Sequence, residues 1–358
     1  MNISILTPNL PYKRGFNDFF PLVKWRNNIA KEGIKIKFIR KLKLAKSNEI
    51  LIIDYRFLQT FFPDRNVRES DDVINFVSAL RDYYKKLILF DTGDGTSSRA
   101  FWLTPHVDLH IKKQILKNKF DYIENNGDKS VMPWIPDCAT PSNIPYKALD
   151  ISQIQKIKLG WNIGMLDYRY FPLKKYLPIG TTNLFNVWHK ELPFVAPDKD
   201  RLFLTSYRGS ISNDTRYSFQ RSATIKFLNN LKLRNLRVAT GSQVSLKRFI
   251  KELQSSHVAI SPFGWGEVCY RDFESIIYGN ILIKPDMSHL ETYPNIFLPM
   301  ESYVPISWDM SDLPTIFDAI FQHLNSYKEI ARNAQKIYRD LYHDDKKFIN
   351  QFKKALEI

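Results

Sequence analysis

The sequence predicts an α/β protein with two doubly wound parallel sheets. Short apolar runs, many of them β-branched, recur along the chain, and segments of helical period lie between them. Strands that alternate with helices in this way are typical of parallel sheets covered on both faces. The length of 358 residues is sufficient for two domains, and prolines at 172, 178, 193 and 197 interrupt the pattern between them.

The first half is expected to form one sheet. Strands are predicted at residues 2–6, 34–39, 51–54, 87–90 and 107–112. A helix that is capped by Asn17 or Asp18 and closed by Gly33 precedes the second strand. Another helix is predicted over Asp72–Lys85.

The second half repeats the alternation. Strands are predicted at residues 201–205, 238–240, 258–260, 281–283 and 305–308. Helices are expected after Arg221, over Ser245–Gln254, from Asp312 onward and through most of 328–358. The second half is therefore expected to form a sheet of its own.

Residues 260–283 combine a strand, a glycine loop, a helix and a second strand. Gly264 and Gly266 lie in the loop, and Arg271 and Glu274 fall on neighbouring turns of one helix face. A glycine loop before a helix N-terminus suits an anion, and Arg271 can add a bidentate contact to a phosphate. Glu274 only accepts hydrogen bonds, so it suits a pair of sugar hydroxyls. The alternative is an ordinary surface ion pair, which is common at this spacing.

The run Ser-Pro-Phe-Gly-x-Gly-Glu-x-Cys-x-Arg-Asp-Phe-Glu at residues 261–274 resembles the donor-nucleotide site of GT-B glycosyltransferases. Glu274 and Gly279 keep the spacing of the E-x7-E motif of retaining enzymes. The first glutamate of that motif would fall on Gly266, and this chain has Glu267 one place on. The Arg-x-x-acid arrangement is closer to the exostosin-like enzymes, which are inverting. The resemblance therefore leaves the stereochemical outcome open.

This resemblance implies a GT-B fold, in which two Rossmann-like domains face a cleft and C-terminal helices cross back to the N-terminal domain. We expect an acceptor-binding domain at 1–185, a nucleotide-sugar-binding domain at 186–340 and a crossing helix at 341–358. The implied activity is transfer of a hexosyl or pentosyl group from a nucleotide-diphosphate sugar to a glycan or lipid-linked saccharide. The family members that it resembles build surface polysaccharide such as lipopolysaccharide, O-antigen or capsule.

On the donor side, the resemblance implies contacts from loops that follow the strands of the second domain. Arg208, next to Gly209, would help to hold the phosphates, and Arg221 is the lesser candidate for this role. Asp286 and His289 would face the donor sugar. The full set of expected donor residues is Arg208, Gly264, Gly266, Glu267, Arg271, Glu274, Asp286 and His289. An ordinary solvated role is the alternative for each of the charged loop residues.

On the acceptor side, the fourth predicted strand runs into Asp91-Thr92-Gly93-Asp94-Gly95. Loops at the carboxyl ends of strands line the ligand crevice of such sheets. Asp94 is the expected general base for an acceptor hydroxyl, ahead of Asp91. Asp18 and His106 are lesser candidates on this side. An Asp-Gly turn is also an ordinary connector between elements.

The composition favours an anionic partner. The net charge of +15 suits a nucleic acid, an anionic membrane surface or a phosphorylated substrate, although it also serves solubility. The basic residues are spread along the chain and no nucleic-acid motif is present, so nucleic acid is the least favoured of the three. We expect a cytoplasmic enzyme, peripheral at the inner face of the cell membrane, because neither a signal peptide nor a transmembrane run is evident.

Neither a metal nor a cofactor is expected beside the sugar nucleotide. Cys138 and Cys269 are far apart and lack metal-ligand spacing, so we expect free thiols in a reducing compartment. No Asp-x-Asp metal motif lies in the place that a metal-dependent transferase would need.

Two other functions remain open. A non-catalytic nucleotide-sugar-binding partner of a polysaccharide assembly complex would keep the donor site but lack a working base. A nucleotide-sugar epimerase would convert free sugar nucleotide without an acceptor. The chain has no early Gly-x-Gly-x-x-Gly, which disfavours tight dinucleotide binding.

Overall fold

A computed structural model describes ten segments of the chain. These are residues 1–8, 18–42, 47–62, 69–98, 100–123, 132–135, 148–168, 191–211, 215–241 and 243–358. The predicted domain boundary near residue 185 lies outside the described residues, as do Asn17 and Cys138.

The first half forms a six-stranded sheet in which every neighbouring pair of strands is parallel. The described strands of this half are β1 (Asn2–Leu6), β2 (Lys35–Ile39), β3 (Ser47–Asp54), β4 (Tyr84–Asp91), β5 (Leu109–Lys112), β6 (Gln114–Leu116) and β7 (Ile157–Leu159). Their order across the sheet is β2-β1-β3-β4-β5-β7, and β6 pairs elsewhere. All five strands predicted from the sequence are present.

Alternate residues of the central strands face two different cores. Ile52 packs into a core that contains the C-terminal helix, while Leu51 and Ile53 pack on the opposite face of the sheet. A strand that is buried on both faces is a continuous apolar run, and this is why β3 and β4 could be located from the sequence.

Helices and short 3-10 turns connect the strands of the first half. The described helices are Phe20–Lys24, Arg26–Lys31, Tyr55–Phe61 and Asp71–Ala79. The described 3-10 turns are Leu80–Asp82, Phe101–His106, Lys119–Tyr122, Ile151–Lys156 and Ile163–Met165.

Two sequence-based expectations about these helices are corrected. The N-cap of the first helix is Phe19 rather than Asp18. The helix predicted over Asp72–Lys85 ends at Ala79, because Tyr84 already pairs with Ser47 as the first residue of β4. Cross-strand pairing thus overrides local helical pattern at the end of this segment.

The second half forms a five-stranded sheet that is also entirely parallel. Its strands are β8 (Phe203–Ser206), β9 (Val238–Ala239), β10 (Ser256–Ile260), β11 (Ile281–Pro285) and β13 (Val304–Ile306), and β12 (Leu290–Thr292) lies outside it. The order across the sheet is β13-β11-β10-β8-β9. Strand β11 is two residues longer than predicted, so the loop after it starts at Asp286.

The described helices of the second half cover both faces of its sheet and form the C-terminus. They are Thr215–Leu233, Leu246–Gln254, Tyr270–Ile277, Leu313–Gln322, Leu324–His343 and Asp345–Leu356. The helix Tyr270–Ile277, the motif helix, is followed by Gly279 with a φ of +69°, a left-handed conformation that suits glycine. None of the described helices is long and apolar enough to cross a membrane.

The C-terminal helices cross back to the first half, as predicted. Phe348 and Phe352 of the helix Asp345–Leu356 are fully buried in the core under the first sheet, with Ile5 and Ile52. The preceding helix also contacts the first half, because the Tyr338 hydroxyl donates a hydrogen bond to the Gly164 carbonyl oxygen at 2.7 Å. The predicted fold class, two Rossmann-like units with a crossing C-terminus, is confirmed.

The two halves share an apolar core and a small sheet. One buried cluster contains Phe101 and Ile115 from the first half together with Phe273 and Ile276 from the motif helix. Strands β6 and β12 form a two-stranded antiparallel sheet between the halves. This sheet could not be predicted from the sequence, since three-residue strands carry too little periodicity to be recognised.

Candidate functional site

The glycine loop at residues 261–269 lies where the topology of the second sheet favours a ligand. Strand order reverses between β1 and β3 in the first sheet and between β8 and β10 in the second. Ligands of open α/β sheets bind outside the carboxyl ends of the strands at such a reversal. Tyr207 and Arg208 directly follow β8, and the loop 261–269 directly follows β10.

Arg271 lies in the first turn of the motif helix and reaches the segment after β8. Its Nη2 donates a hydrogen bond to the Arg208 carbonyl oxygen at 2.6 Å, and its guanidinium lies over the Tyr207 ring, 4.5 Å from the ring centre. Its Nε is buried and has no hydrogen-bond partner among the described residues. No described carboxylate forms an ion pair with Arg271, so its charge is available to an anion.

A second guanidinium group, that of Arg221, approaches the same loop from the helix Thr215–Leu233. Its Nη1 donates to the Ser210 carbonyl oxygen at 3.1 Å. A Cβ atom on Gly264 would lie 2.6 Å from Arg221 Nη2, so the guanidinium lies directly over this glycine. Burial raises the pKa of the nearby Cys269 thiol, and Arg271 and Arg221 both oppose that rise. Within the described ranges Arg221 also has no carboxylate partner, although the sequence suggested it for the donor phosphates less strongly than Arg208.

Glu274 lies one turn beyond Arg271 on the motif helix. Its carboxylate is half-buried and accepts no hydrogen bond from any described residue. Burial raises its pKa to about 7, although the charge of Arg271 opposes that rise. A partly buried carboxylate without donors is unfavourable until a ligand or water supplies them. Glu274 is therefore ready to accept hydrogen bonds from hydroxyl groups.

Arg208 has a different role from the one that the sequence suggested. Its guanidinium forms a two-pronged ion pair with Glu252, at 2.8 Å from Nε and 2.7 Å from Nη2, and its Nη1 donates to the Thr240 carbonyl oxygen at 2.6 Å. These contacts use the charge within the protein. They correct the expectation that the Arg208 guanidinium binds a phosphate. The sequence could not show this partner, because Glu252 lies 44 positions away.

A buried ion pair supports the motif helix from below. Lys284 Nζ lies 3.0 Å from one oxygen of Asp272 and 3.1 Å from the other, and both side chains are fully buried. Asp272 also accepts a hydrogen bond from the backbone N–H of Cys269 at 2.8 Å, at the start of the helix. This pair, which the sequence did not predict, fixes the helix on β11.

Gly266 and Glu267 contact the first half of the chain instead of an open ligand site. A Cβ atom on Gly266 would lie 1.7 Å from the Asp94 carbonyl oxygen, so only glycine permits this approach. Glu267 is 0% exposed, and both of its oxygens accept hydrogen bonds from Thr96. The expectation that these two residues bind the donor is corrected: they join the two halves.

Asp286 and His289 lie in the loop after β11, close to the glycine loop. The Asp286 carboxylate accepts hydrogen bonds from the Ser288 N–H and the Tyr303 hydroxyl, each at 3.3 Å, so it stabilises its own loop. His289 lies near the rings of Phe263 and Trp308, with centroids 6.5 Å and 5.1 Å away. Both of its ring nitrogens are buried without a hydrogen-bond partner in the described part of the chain, and burial lowers its pKa. His289 therefore has hydrogen-bonding capacity that a ligand can use.

The first sheet presents Asp94 at its own carboxyl edge. The Asp94 side chain is 59% exposed, and Lys113 Nζ donates to it at 3.1 Å. Asp18 lies on the other side of Lys113, at 3.9 Å, and is bound by Arg56. Because the Asp94 backbone touches Gly266, its carboxylate lies at the junction with the loop 261–269. Asp94 is thus accessible, whereas Asp18 is almost completely buried.

Asp91 and Asp54 are closed to an acceptor. Burial would raise the pKa of Asp91, but Lys112 at 2.9 Å and the neighbouring His110 hold that pKa well below its usual range. Burial raises the pKa of Asp54 to about 6, against the effect of Arg56. The acceptor-side role expected for Asp91 is corrected, because its carboxylate is buried in an ion pair under the loop.

His106 is corrected for a different reason. It ends the 3-10 turn Phe101–His106, which precedes β5, so it lies at the amino ends of the parallel strands. The candidate site is at the opposite edge. No group of three or more His, Cys, Asp or Glu side chains that could hold a metal ion occurs among the described residues, and metal independence stays a prediction.

Comparison with known proteins identifies similar folds only at low identity. No protein-family model matches the chain, and no curated protein sequence matches it. HepE from Anabaena, solved in complex with UDP-glucose, is 10% identical, with 100% of this chain and 99% of that chain covered and a TM-score of 0.42. A glycosyltransferase from Rickettsia africae is 12% identical over 99% and 98% of the two chains, with a TM-score of 0.43. TarM is 9% identical over 88% of this chain and 56% of its own, with a TM-score of 0.48. At these values the likeness carries no argument about activity.

Proposed function

We propose that this chain is a glycosyltransferase that binds a nucleotide-diphosphate sugar at the carboxyl edge of its second sheet. The observation that carries the proposal is one loop surrounded by two guanidinium groups without a described carboxylate partner, those of Arg221 and Arg271, and by the unsatisfied carboxylate of Glu274. A nucleotide-diphosphate sugar presents a diphosphate and a pair of ribose hydroxyls. The diphosphate would supply the anionic partner that the two guanidinium groups lack, and the hydroxyls would supply the donors that Glu274 lacks.

The guanidinium groups would act on the leaving group. A nucleoside diphosphate departs with negative charge, and cations placed where that charge develops lower the barrier without a metal. Each charge-assisted hydrogen bond to a phosphate oxygen contributes roughly 1.5–3 kcal/mol. Glu274 would hold the ribose through its hydroxyls, and His289 would contact the donor sugar.

Asp94 is the proposed general base. It is exposed at the carboxyl edge of the first sheet and is oriented by Lys113. Its backbone contacts Gly266 in the loop 261–269, which is called the donor loop below. A carboxylate in this position would remove the proton from an acceptor hydroxyl as it attacks the anomeric carbon. Attack from the side opposite the departing diphosphate would give an inverting transfer.

The finer identity of the reaction rests on the motif at residues 261–274. We propose an exostosin-like enzyme that transfers a hexosyl or pentosyl group to a glycan or lipid-linked acceptor in surface polysaccharide synthesis, without a metal. The charge of +15 supports an anionic acceptor or a peripheral position on an anionic cytoplasmic membrane surface.

The test is release of nucleotide from UDP-, GDP- and dTDP-sugars, with and without added disaccharide acceptors. CMP-sugars, which carry a single phosphate, are the control and should release no nucleotide. The wild-type protein is expected to release nucleotide from one class, and Asp94→Asn to do so about 10²–10⁴-fold more slowly with unchanged nucleotide binding. Asp309→Asn, a carboxylate engaged only within its own exposed turn, is the matched control. Equal rates for Asp94→Asn and the control would contradict the proposed base.

The second candidate is a non-catalytic nucleotide-sugar-binding partner of a polysaccharide assembly complex. It is favoured by the ion pair between Asp94 and Lys113, because the lysine occupies a carboxylate oxygen that an acceptor hydroxyl would need. This candidate predicts nucleotide binding that depends on Arg271, with no nucleotide release from any sugar nucleotide. The same assay therefore separates the two.

A further inference from the structure

Glu267 connects the donor loop to the loop that carries Asp94. One carboxylate oxygen accepts hydrogen bonds from the Thr96 hydroxyl at 2.7 Å and from the Trp134 indole N–H at 3.2 Å. The other accepts from the Thr96 backbone N–H at 3.2 Å and from Gln114 Nε2 at 3.5 Å. All these donors belong to the first half of the chain. A fully buried carboxylate with four donors from the opposite half is a specific connection.

Gln114 extends this connection to the proposed base. Its Nε2 also donates to the backbone carbonyl oxygen of Asp94, while Lys113 holds the Asp94 carboxylate. Gly266 lies against the same carbonyl group so closely that a Cβ atom there would collide with it. The Asp94 loop is therefore fixed by contacts to both its backbone and its side chain.

The small sheet between the halves fixes the opposite side of the junction. Leu290, Glu291 and Thr292 of β12 pair with Leu116, Ile115 and Gln114 of β6. The ladder is extended by a hydrogen bond of 2.9 Å from the Lys117 N–H to the His289 carbonyl oxygen. The strand that begins just after the proposed donor-contacting His289 is thus paired directly with the strand that contains Gln114.

We infer that Glu267 is a positioning residue that holds the Asp94 loop against the donor loop, and that the two halves work as one preassembled unit without opening and closing. This inference rests on the proposed function for the roles of Asp94 and the donor loop. The contacts themselves hold whatever the ligand is. Separating the halves would expose the buried carboxylate and break the β6–β12 ladder, so movement at this junction is disfavoured.

The first test replaces Glu267 by glutamine, which turns one of the two accepting oxygens into a donor that faces other donors. Amide hydrogen exchange of residues 92–98 is expected to become about tenfold faster in Glu267→Gln, because the Thr96 amide loses its acceptor. Glu252→Gln, a buried carboxylate whose partners lie within one half, is the matched control and should leave exchange at 92–98 unchanged. Unchanged exchange in Glu267→Gln would overturn the inference.

The second test uses the sugar nucleotide that stabilises the wild-type protein. Glu267→Gln is expected to keep its dissociation constant within about twofold and to lose at least about tenfold in nucleotide release, since only the position of the base has changed. A parallel loss of affinity and rate would instead indicate a direct donor contact and would overturn the positioning role.

The third test crosslinks the junction. Directly opposed residues of an antiparallel pair have Cα atoms about 4.5–5.5 Å apart, which suits a disulfide. Ile115→Cys combined with Glu291→Cys, oxidised, should bind the nucleotide as tightly as the reduced form, with the two single variants as controls. Loss of binding on oxidation that a reductant restores would show that the halves must separate, and would overturn the inference. If no nucleotide binds to any form, the proposed function fails, and the exchange experiment alone still decides the role of Glu267.

Discussion

The charged groups at the carboxyl edges of the two sheets are arranged differently. At the first sheet, nearly every charge has an opposite partner: Asp91 pairs with Lys112, Asp18 with Arg56 and Asp94 with Lys113. At the second sheet, Arg221 and Arg271 have no described carboxylate partner and Glu274 has no described donor. A charge that is satisfied within the protein stabilises the fold, whereas an unsatisfied charge at a strand edge is available to a ligand. This difference favours the second sheet as the location of the proposed donor site.

The largest effect on stability should come from removing one partner of the buried ion pair in the first sheet. Asp91→Ala leaves Lys112 buried without its partner, and we expect a loss of about 3–5 kcal/mol in the free energy of unfolding. Asp94→Ala removes an exposed carboxylate and leaves Lys113 beside Asp18, so it should cost less, about 1 kcal/mol. Urea unfolding at pH 7 measures both. Similar values for the two variants would remove the distinction between the buried and the exposed carboxylate at this edge.

An intermediate effect should separate the two arginines that the sequence placed together at the phosphates. Arg271→Ala should weaken nucleotide binding by about 10–100-fold, because a charge-assisted contact of roughly 1.5–3 kcal/mol is lost. Arg208→Ala should leave nucleotide affinity within about threefold and lower the free energy of unfolding by about 1–3 kcal/mol, because it removes one partner of Glu252. Calorimetric titration measures the nucleotide affinity of both variants, and urea unfolding measures their stability. A stronger binding loss in Arg208→Ala would reverse the assignment.

The smallest effect concerns the pH dependence of stability at Glu274. Its pKa is about 7 in the folded protein against 4.5 for an unperturbed glutamate, so its neutral form is favoured by folding. The stability that this preference provides is fully present below about pH 4.5 and is lost as the pH rises to about 7. After solvent screening, the loss in the free energy of unfolding should be about 1–3 kcal/mol. Glu274→Gln does not ionise, so its melting temperature should rise relative to wild type between pH 4.5 and 7.

Asp54 does not disturb this comparison. Its pKa is also raised, to about 6, but it is present in both proteins and its contribution cancels in the difference. Glu329→Gln, which removes an exposed glutamate paired with Arg332, is the control for the loss of a surface charge and should not reproduce the rise seen with Glu274→Gln. A constant difference between Glu274→Gln and wild type would mean that Glu274 is not held in a partly desolvated position.

Local pattern was sufficient to predict the fold and the helix that carries Arg271 and Glu274. The buried strands are continuous apolar runs, and the glycine loop, the helical spacing and Gly279 all lie within about one βαβ unit. Such signals depend only on neighbours in sequence. The amino-acid order alone is therefore enough to locate them.

Partners that are distant in sequence could not be predicted. The sequence suggests a donor-loop acid at Glu267, but its hydrogen-bond partner Thr96 is 171 positions away. It suggests a phosphate-binding cation at Arg208, but Glu252 neutralises that charge from the helix Leu246–Gln254. The sequence ranks Arg221 below Arg208 for the phosphates, because only the folded chain shows that Arg221 lies over Gly264. Which charges remain available is decided by tertiary pairing, and a single sequence does not contain that information.

The most direct measurement is thermal stabilisation by a panel of UDP, GDP, CMP and dTDP and their sugars. A ligand at about 100 times its dissociation constant should add about 2.7 kcal/mol and shift the melting curve visibly. We expect one nucleotide class to stabilise the wild-type protein and Arg208→Ala, and to lose its effect with Arg271→Ala and with Glu274→Ala. No stabilisation by any nucleotide, or an unchanged response of Arg271→Ala, would contradict the assignment of a nucleotide-sugar site to the second sheet.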